Sequence, residues 1–181
     1  MRKTLLFIAA SIITLSSFAQ GTTILRYVEV VPVEGASADA LYDRAEVWVS
    51  QAFQNPAKVM KYQNKENHQL ILNPLTQFNF SKFIGSEGVK GTIEYTIKIN
   101  TREGRYRIEI TDCYHHGKLY SFGLLTSDSV LTEKKLRGTT LKWEQNVWTE
   151  LLSTMRKEML LLTSSLKNTM MIKDESRSED W

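Results

Sequence analysis

Cysteine is nearly absent from this 181-residue chain. Cys113 is the only one, which excludes an intrachain disulfide even in a compartment that would permit it. Proline is scarce, at three residues, and neither glycine nor proline occurs from Thr140 onward. No internal repeat and no low-complexity linker divides the chain. The roughly 160 residues after the N-terminal segment therefore read as one domain with its own hydrophobic core. No segment has the ~20 consecutive apolar residues that cross a bilayer. There is no block of basic charge of the kind that binds nucleic acid or an anionic membrane. No motif of catalysis, metal ligation or cofactor binding stands out, so the expectation is no catalytic residue, no metal and no cofactor.

What is present begins with an export signal. Arg2 and Lys3 form a positive start, Leu5 to Leu15 (LLFIAASIITL) an apolar centre, and Ser17-Phe18-Ala19 places small residues where a signal peptidase reads them. Cleavage is expected between Ala19 and Gln20, giving a periplasmic or secreted protein. No cysteine lies near the cut, so no lipid anchor is expected. The formal charge of +3 falls to +1 once Arg2 and Lys3 are removed. That near-neutral balance argues against nucleic acid as a partner.

The remaining pattern is mixed. Ile24 to Val33 is rich in β-branched residues and reads as a strand, broken by Gly35. Ser37 caps a helix on which Leu41, Ala45, Trp48 and Ala52 share a face, ending near Phe53. Val59 to Gln63 is a short strand with a turn at Lys65-Glu66-Asn67. Leu70 to Leu72 and Thr76 to Phe80 follow, interrupted by Pro74, which requires an edge position or a bulge.

The clearest element is a hairpin around Glu103-Gly104. With a two-residue turn there, Ile99 faces Ile108, Ile97 faces Ile110 and Lys98 faces Glu109. Leu119 to Leu125 reads as a further strand and Ser127 to Gly138 as a polar loop. Val147, Trp148, Leu151, Leu152, Met155, Met159, Leu162 and Leu166 then form a stripe at helical spacing. The spacing predicts a long helix from near Trp143 that frays after Met171.

The order YVEVVPVEG, LYDRA, GTIEYTIKI, REGRYRIEITD and a long helix opening near a tryptophan resembles one family. It is similar to exported bacterial proteins of unknown function described as having a TBP-like fold, over roughly Tyr27 to Thr169. The best-matching stretches are a helix entry and a hairpin, which are structural signatures rather than reaction motifs. Two departures stand out. Ala40 stands where the family tends to carry a glutamate completing a capping box, and Asn73-Pro74-Leu75 stands where it tends to be glycine-rich. The resemblance implies a fold and no assigned activity.

Taken together, residues 1–19 are expected to be the signal peptide. Residues 20–172 should form a single TBP-like α+β domain, an antiparallel sheet with two helices on one face in the order β-α-β-β-β-β-α. Residues 173–181 are expected to be a disordered tail. The leading functional expectation is a non-enzymatic binding or accessory domain of the bacterial envelope, with an unknown protein or envelope component as partner. The alternative is a carrier holding an apolar small molecule among Phe78, Phe80, Phe83, Tyr120 and Phe122, between sheet and long helix.

A third reading is an envelope hydrolase using Cys113 as thiol nucleophile and His115 as base. Strict alternation places both on the open sheet face with Glu109 and Thr111, and Asp112 on the apolar face, where it would satisfy backbone donors. His115 and His116 point to opposite faces, and His68 lies in a turn with no defined relation to them, which disfavours a shared metal ion. Glu94, Thr96 and Lys98 beside Arg107, Glu109 and Thr111 form the open, mixed-charge face.

Overall fold

The computed structural model describes residues 23–80 and 86–172. The expected signal segment, the C-terminal tail and Phe83 lie outside the described residues. The elements run β1 (Tyr27–Pro32), α1 (Ala38–Ala52), a one-turn α2 (Pro56–Val59), β2 (Met60–Asn64), β3 (Gln69–Leu72) and β4 (Leu75–Phe78). A 3-10 turn at Ser86–Val89 leads into β5 (Gly91–Arg102), β6 (Arg105–Gly117), β7 (Gly123–Leu124) and the 30-residue α3 (Leu141–Met170). The strands form one antiparallel sheet in the order β1-β6-β5-β3-β2, with β4 also on β5 and β7 also on β6. This is the expected α+β architecture, enlarged by α2 and by β7, a short remnant of the strand expected over Leu119 to Leu125.

The β5–β6 hairpin is its spine. Its register pairs Ile99 with Ile108, Ile97 with Ile110 and Lys98 with Glu109, so one face of both strands is apolar. Gly104 takes a φ of +69° in the turn, a conformation a residue without Cβ adopts freely. Alongside β5, β3 and β4 form one lane. Leu72 opposes Ile97 and Leu75 opposes Glu94, so the register runs unbroken across Asn73-Pro74 and there is no bulge. Pro74 cannot donate, but its carbonyl accepts from the Tyr95 N–H at 3.1 Å. It sits where the lane emerges from beneath β2, so β4 is an edge strand among the described residues.

Both long helices cover the same face. Ser37 caps α1, its hydroxyl accepting from the Ala40 N–H at 3.1 Å. No capping-box glutamate is present, but Glu103 in the hairpin turn serves another free donor of the helix start, accepting from the Ala38 N–H at 3.2 Å. Thr140 caps α3 through the Trp143 N–H. Leu41, Ala45 and Trp48 of α1 are fully buried, as are Val147, Trp148, Leu151, Met155 and Leu166 of α3. Ala52, expected on the buried face of α1, is exposed in its last turn. Trp48 Nε1 donates to Ser165 Oγ at 3.1 Å and Arg44 to the Met170 carbonyl at 2.9 Å, tying the two helices together.

The polar segment before α3 is held by that helix. Glu144 is fully buried and accepts from the Lys135 N–H at 2.6 Å, the Leu136 N–H at 3.1 Å and the Thr139 hydroxyl. Gln145 accepts from the Leu131 N–H and donates to the Ser129 carbonyl. Trp148 Nε1 donates to the Asp128 carbonyl at 2.8 Å. Polar tethers from three residues in the first two turns of α3 therefore convert a segment with no periodicity into a fixed strap. No helix of the described residues is long and apolar enough to cross a membrane.

Candidate functional site

The side chains with most intrinsic reactivity are inside the core, which corrects the expectation from strict alternation. Thr96 opposes Thr111 but Glu94 opposes Tyr114, so Tyr95 faces two residues, Asp112 and Cys113. This is a β-bulge, with Asp112 at a φ of +54°, a left-handed conformation that Asp tolerates better than most. The extra residue flips every side chain beyond it. Asp112, expected on the apolar face, is exposed, while Cys113 and His115, expected on the open face, are fully buried.

Burial pushes the Cys113 thiol up to about 12, so it is a neutral, inert thiol at physiological pH. Both ring nitrogens of His115 are engaged by backbone. Nε2 donates to the Val89 carbonyl at 2.9 Å, and Nδ1 accepts from the Phe122 N–H at 3.1 Å. Burial, the larger cause, holds its pKa below the ordinary 6.5. An imidazole so occupied has no nitrogen left to act as a base.

The remaining histidines lie apart from it. His116 is on the open face with Nε2 at 3.3 Å from Glu94, and His68 contacts Asp39 at 3.0 Å beside α1. Among the described residues, no three His, Cys, Asp or Glu side chains come together in a way that could hold a metal ion.

Of the expected aromatic set, Phe78, Phe80 and Phe122 line no space among the described residues. Phe78, Phe80 and Phe122 are 1–4 % exposed, and their rings pack on one another, on His115 and on Trp148 at centroid separations of 5.2–6.2 Å. Side chains that close to zero exposure leave no room for a ligand beside them. Tyr120 is exposed and, apart from them, borders a shallow recess of about 300 Å³ with Gly138, Thr139, Thr140 and Trp143.

Among the described residues, no helix lies over the other sheet face. Its rows follow from the register: His116 beside Thr92, Leu124 beside Tyr114 and Glu94, Val28 beside Glu109 and Lys98, and Val30 beside Arg107 and Asn100. Val28, Val30, Tyr62, Leu75, Tyr114 and Leu124 are all exposed, scattered among polar groups. Glu109 is clamped by two guanidinium groups, Arg26 and Arg107, each at 2.8 Å. Lys98, although directly opposite Glu109, makes no ion pair with it among the described residues.

At the hairpin end this face dips into a groove of about 560 Å³. Lys98, Arg102, Arg105 and Arg107 line it, with Asn67, Gln69, Asn100 and Val30. Lys98 and Arg107 were expected on this open face, but Arg102, Arg105 and the groove itself were not. The available signal was four cations at alternate positions flanking one turn, which alternation alone puts on a single face.

With this architecture in view, the comparisons are specific. Residues 27–116 match the model of the domain of unknown function DUF4468 with TBP-like fold. Over that span the chain belongs to the DUF4468 family. The match covers the sheet from β1 to the end of β6 and α1, but leaves out α3. Solved structures extend the likeness beyond it. A TBP-like protein from Parabacteroides distasonis is 14 % identical with a TM-score of 0.51, over 80 % of this chain and 94 % of that one. A DUF4468 family protein from Bacteroides ovatus is 10 % identical with a TM-score of 0.55, over 84 % and 89 %. At such identities the likeness concerns the fold alone. No curated protein matches the chain.

Proposed function

We propose that this DUF4468 chain is a non-enzymatic, exported binding or accessory domain of the bacterial envelope that works through its open sheet face. The observation that carries the reading is the division of labour between the two faces. Both long helices bury one face completely, and with it the thiol and the imidazole that nucleophilic chemistry would need. The opposite face keeps exposed valine, leucine and tyrosine side chains among cations and amides. Mixed apolar and polar surfaces on a rigid sheet suit recognition, since little order is lost on binding. Export rests on the N-terminal segment of the sequence, Arg2 to Ala19.

The test is site-specific photo-crosslinking in intact cells. A photoreactive residue at Val30 or Tyr114 should give discrete adducts, and one at Leu161, exposed on α3, should give none. Equal adduct patterns from all three positions would sink the proposal.

A further inference from the structure

The groove at the hairpin end of the open face carries an unbalanced charge. Arg102 and Arg105 are direct cross-strand partners, and like charges placed opposite each other destabilise a hairpin. The nearby carboxylates are already committed. Glu103, in the turn between them, turns away to the Ala38 N–H of α1, and Glu109 is held by Arg26 and Arg107. Among the described residues no ion pair or side-chain hydrogen bond engages Lys98, Arg102 or Arg105. Three cations thus converge on one groove whose lining carboxylate, Glu109, is already held by Arg26 and Arg107.

The groove floor is polar. Asn100 and Gln69 sit side by side across β5 and β3 and are joined by a 2.9 Å hydrogen bond. Amide side chains offer both a donor and an acceptor, the pairing a hydroxyl group requires. Guanidinium groups match the two oxygens of a carboxylate or phosphate. The volume falls within the range of small-molecule sites. β5 and β6 are hydrogen-bonded on both sides here, so no free strand edge is available for an extended peptide to join.

We infer that this groove binds a small oxyanion carried on a hydroxyl-bearing body, such as a phosphorylated or uronic sugar. Lys98, Arg102 and Arg105 hold the anion, and Asn100 and Gln69 hold the hydroxyls. The inference rests on the reading of the open face as the binding surface and adds the chemical class of what binds.

The test is an amide-resolved NMR titration of the purified protein with glucose 6-phosphate, glucuronate, glucose and tetraglutamate at low salt. One or both anionic sugars should shift the amides around Asn100 and Arg105, with affinity falling as salt rises. Arg102→Ser with Arg105→Ser should weaken that binding at least about tenfold, and Lys98→Ser should weaken it without touching the turn. Lys157→Ser, on the outer side of α3, should not. Shifts of equal size with neutral glucose, or binding that survives the arginine substitutions, would overturn the inference. So would tighter binding of tetraglutamate, which would make the ligand an acidic polypeptide. If no probe moves these amides while crosslinks still form at Val30 and Tyr114, the ligand class is wrong and the binding face stands. Loss of position-specific crosslinks would remove the face itself.

Discussion

Lowering the pH from 7 to 5.5 should destabilise this protein through one side chain, His115. The imidazole is fully buried and neutral, with Nε2–H on the Val89 carbonyl and bare Nδ1 on the Phe122 N–H. Protonation would set a second N–H against that of Phe122 and leave a buried charge without a counter-ion. Its folded pKa is therefore lowered, chiefly by burial, below the ordinary 6.5. The sign follows. Below 6.5 the unfolded chain takes up a proton that the folded chain refuses, so stability is complete above that pH and falls beneath it.

The slope approaches at most ~1.4 kcal/mol per pH unit, which sets a ceiling of about 1.3 kcal/mol between pH 7 and 5.5. For a domain of this size that is roughly 3–5 °C in Tm. Glu29, whose pKa is lowered by its hydrogen bonds to Lys167 and Tyr27, adds its own loss only as pH falls below the ordinary carboxylate range. The window above 5.5 isolates the histidine from that effect. Urea unfolding at both pH values, on the natural chain and on His115→Gln, is the assay. The variant should be less stable at pH 7 but lack the histidine's share of the slope. A variant that keeps the full slope of the natural chain would refute the reasoning.

Three further outcomes follow from the same architecture. Cys113, buried and with its pKa pushed up to about 12, should resist a thiol reagent in the native state and react fully in denaturant; rapid native labelling would contradict its placement. Glu144→Ala should cost about 1–3 kcal/mol by stranding the Lys135 and Leu136 N–H groups, read as a lower urea midpoint; a neutral result would mean the strap is not tethered there. Asp112→Gly should be neutral or stabilising, because glycine accepts a φ of +54° freely, whereas Asp112→Val should cost about 1–2 kcal/mol. Equal stability of the two Asp112 variants would argue against the bulge.

The hairpin, both long helices and the Ser37 cap were legible because each rests on local chemistry. Alternating Ile residues about a glycine turn leave one self-consistent register, and Ser37 announces the start of α1, whereas α3 starts at Leu141 under a Thr140 cap, two residues before the expected Trp143. The bulge was harder to read, because Thr111 to His116 offers no glycine and no apolar alternation. Its trace was a conflict: continuing the pattern past Ile110 would have buried Asp112, and inserting one residue resolves it. The end of α1 near Phe53 was legible, but the one-turn α2 after it was not, although Asn55 caps it through the Lys58 N–H with Pro56 in its first turn.

The strap before α3 was invisible for a different reason. Its order comes from Glu144, Gln145 and Trp148 on a neighbouring element, and such long-range tethers leave no local period. The groove was equally hidden, since it depends on which carboxylates are already engaged. Opposition of Lys98 and Glu109 was readable from the register, but the preference of Glu109 for two arginines was not.

The most direct measurement of the central claim, that one sheet face is kept open for binding, is carbene footprinting in intact cells against the purified protein. The account predicts protection in cells at Val28, Val30, Tyr62 and Tyr114, with Leu160 and Leu161 on α3 labelled equally in both. Protection confined to the helical layer, or identical labelling of both faces in both settings, would contradict it.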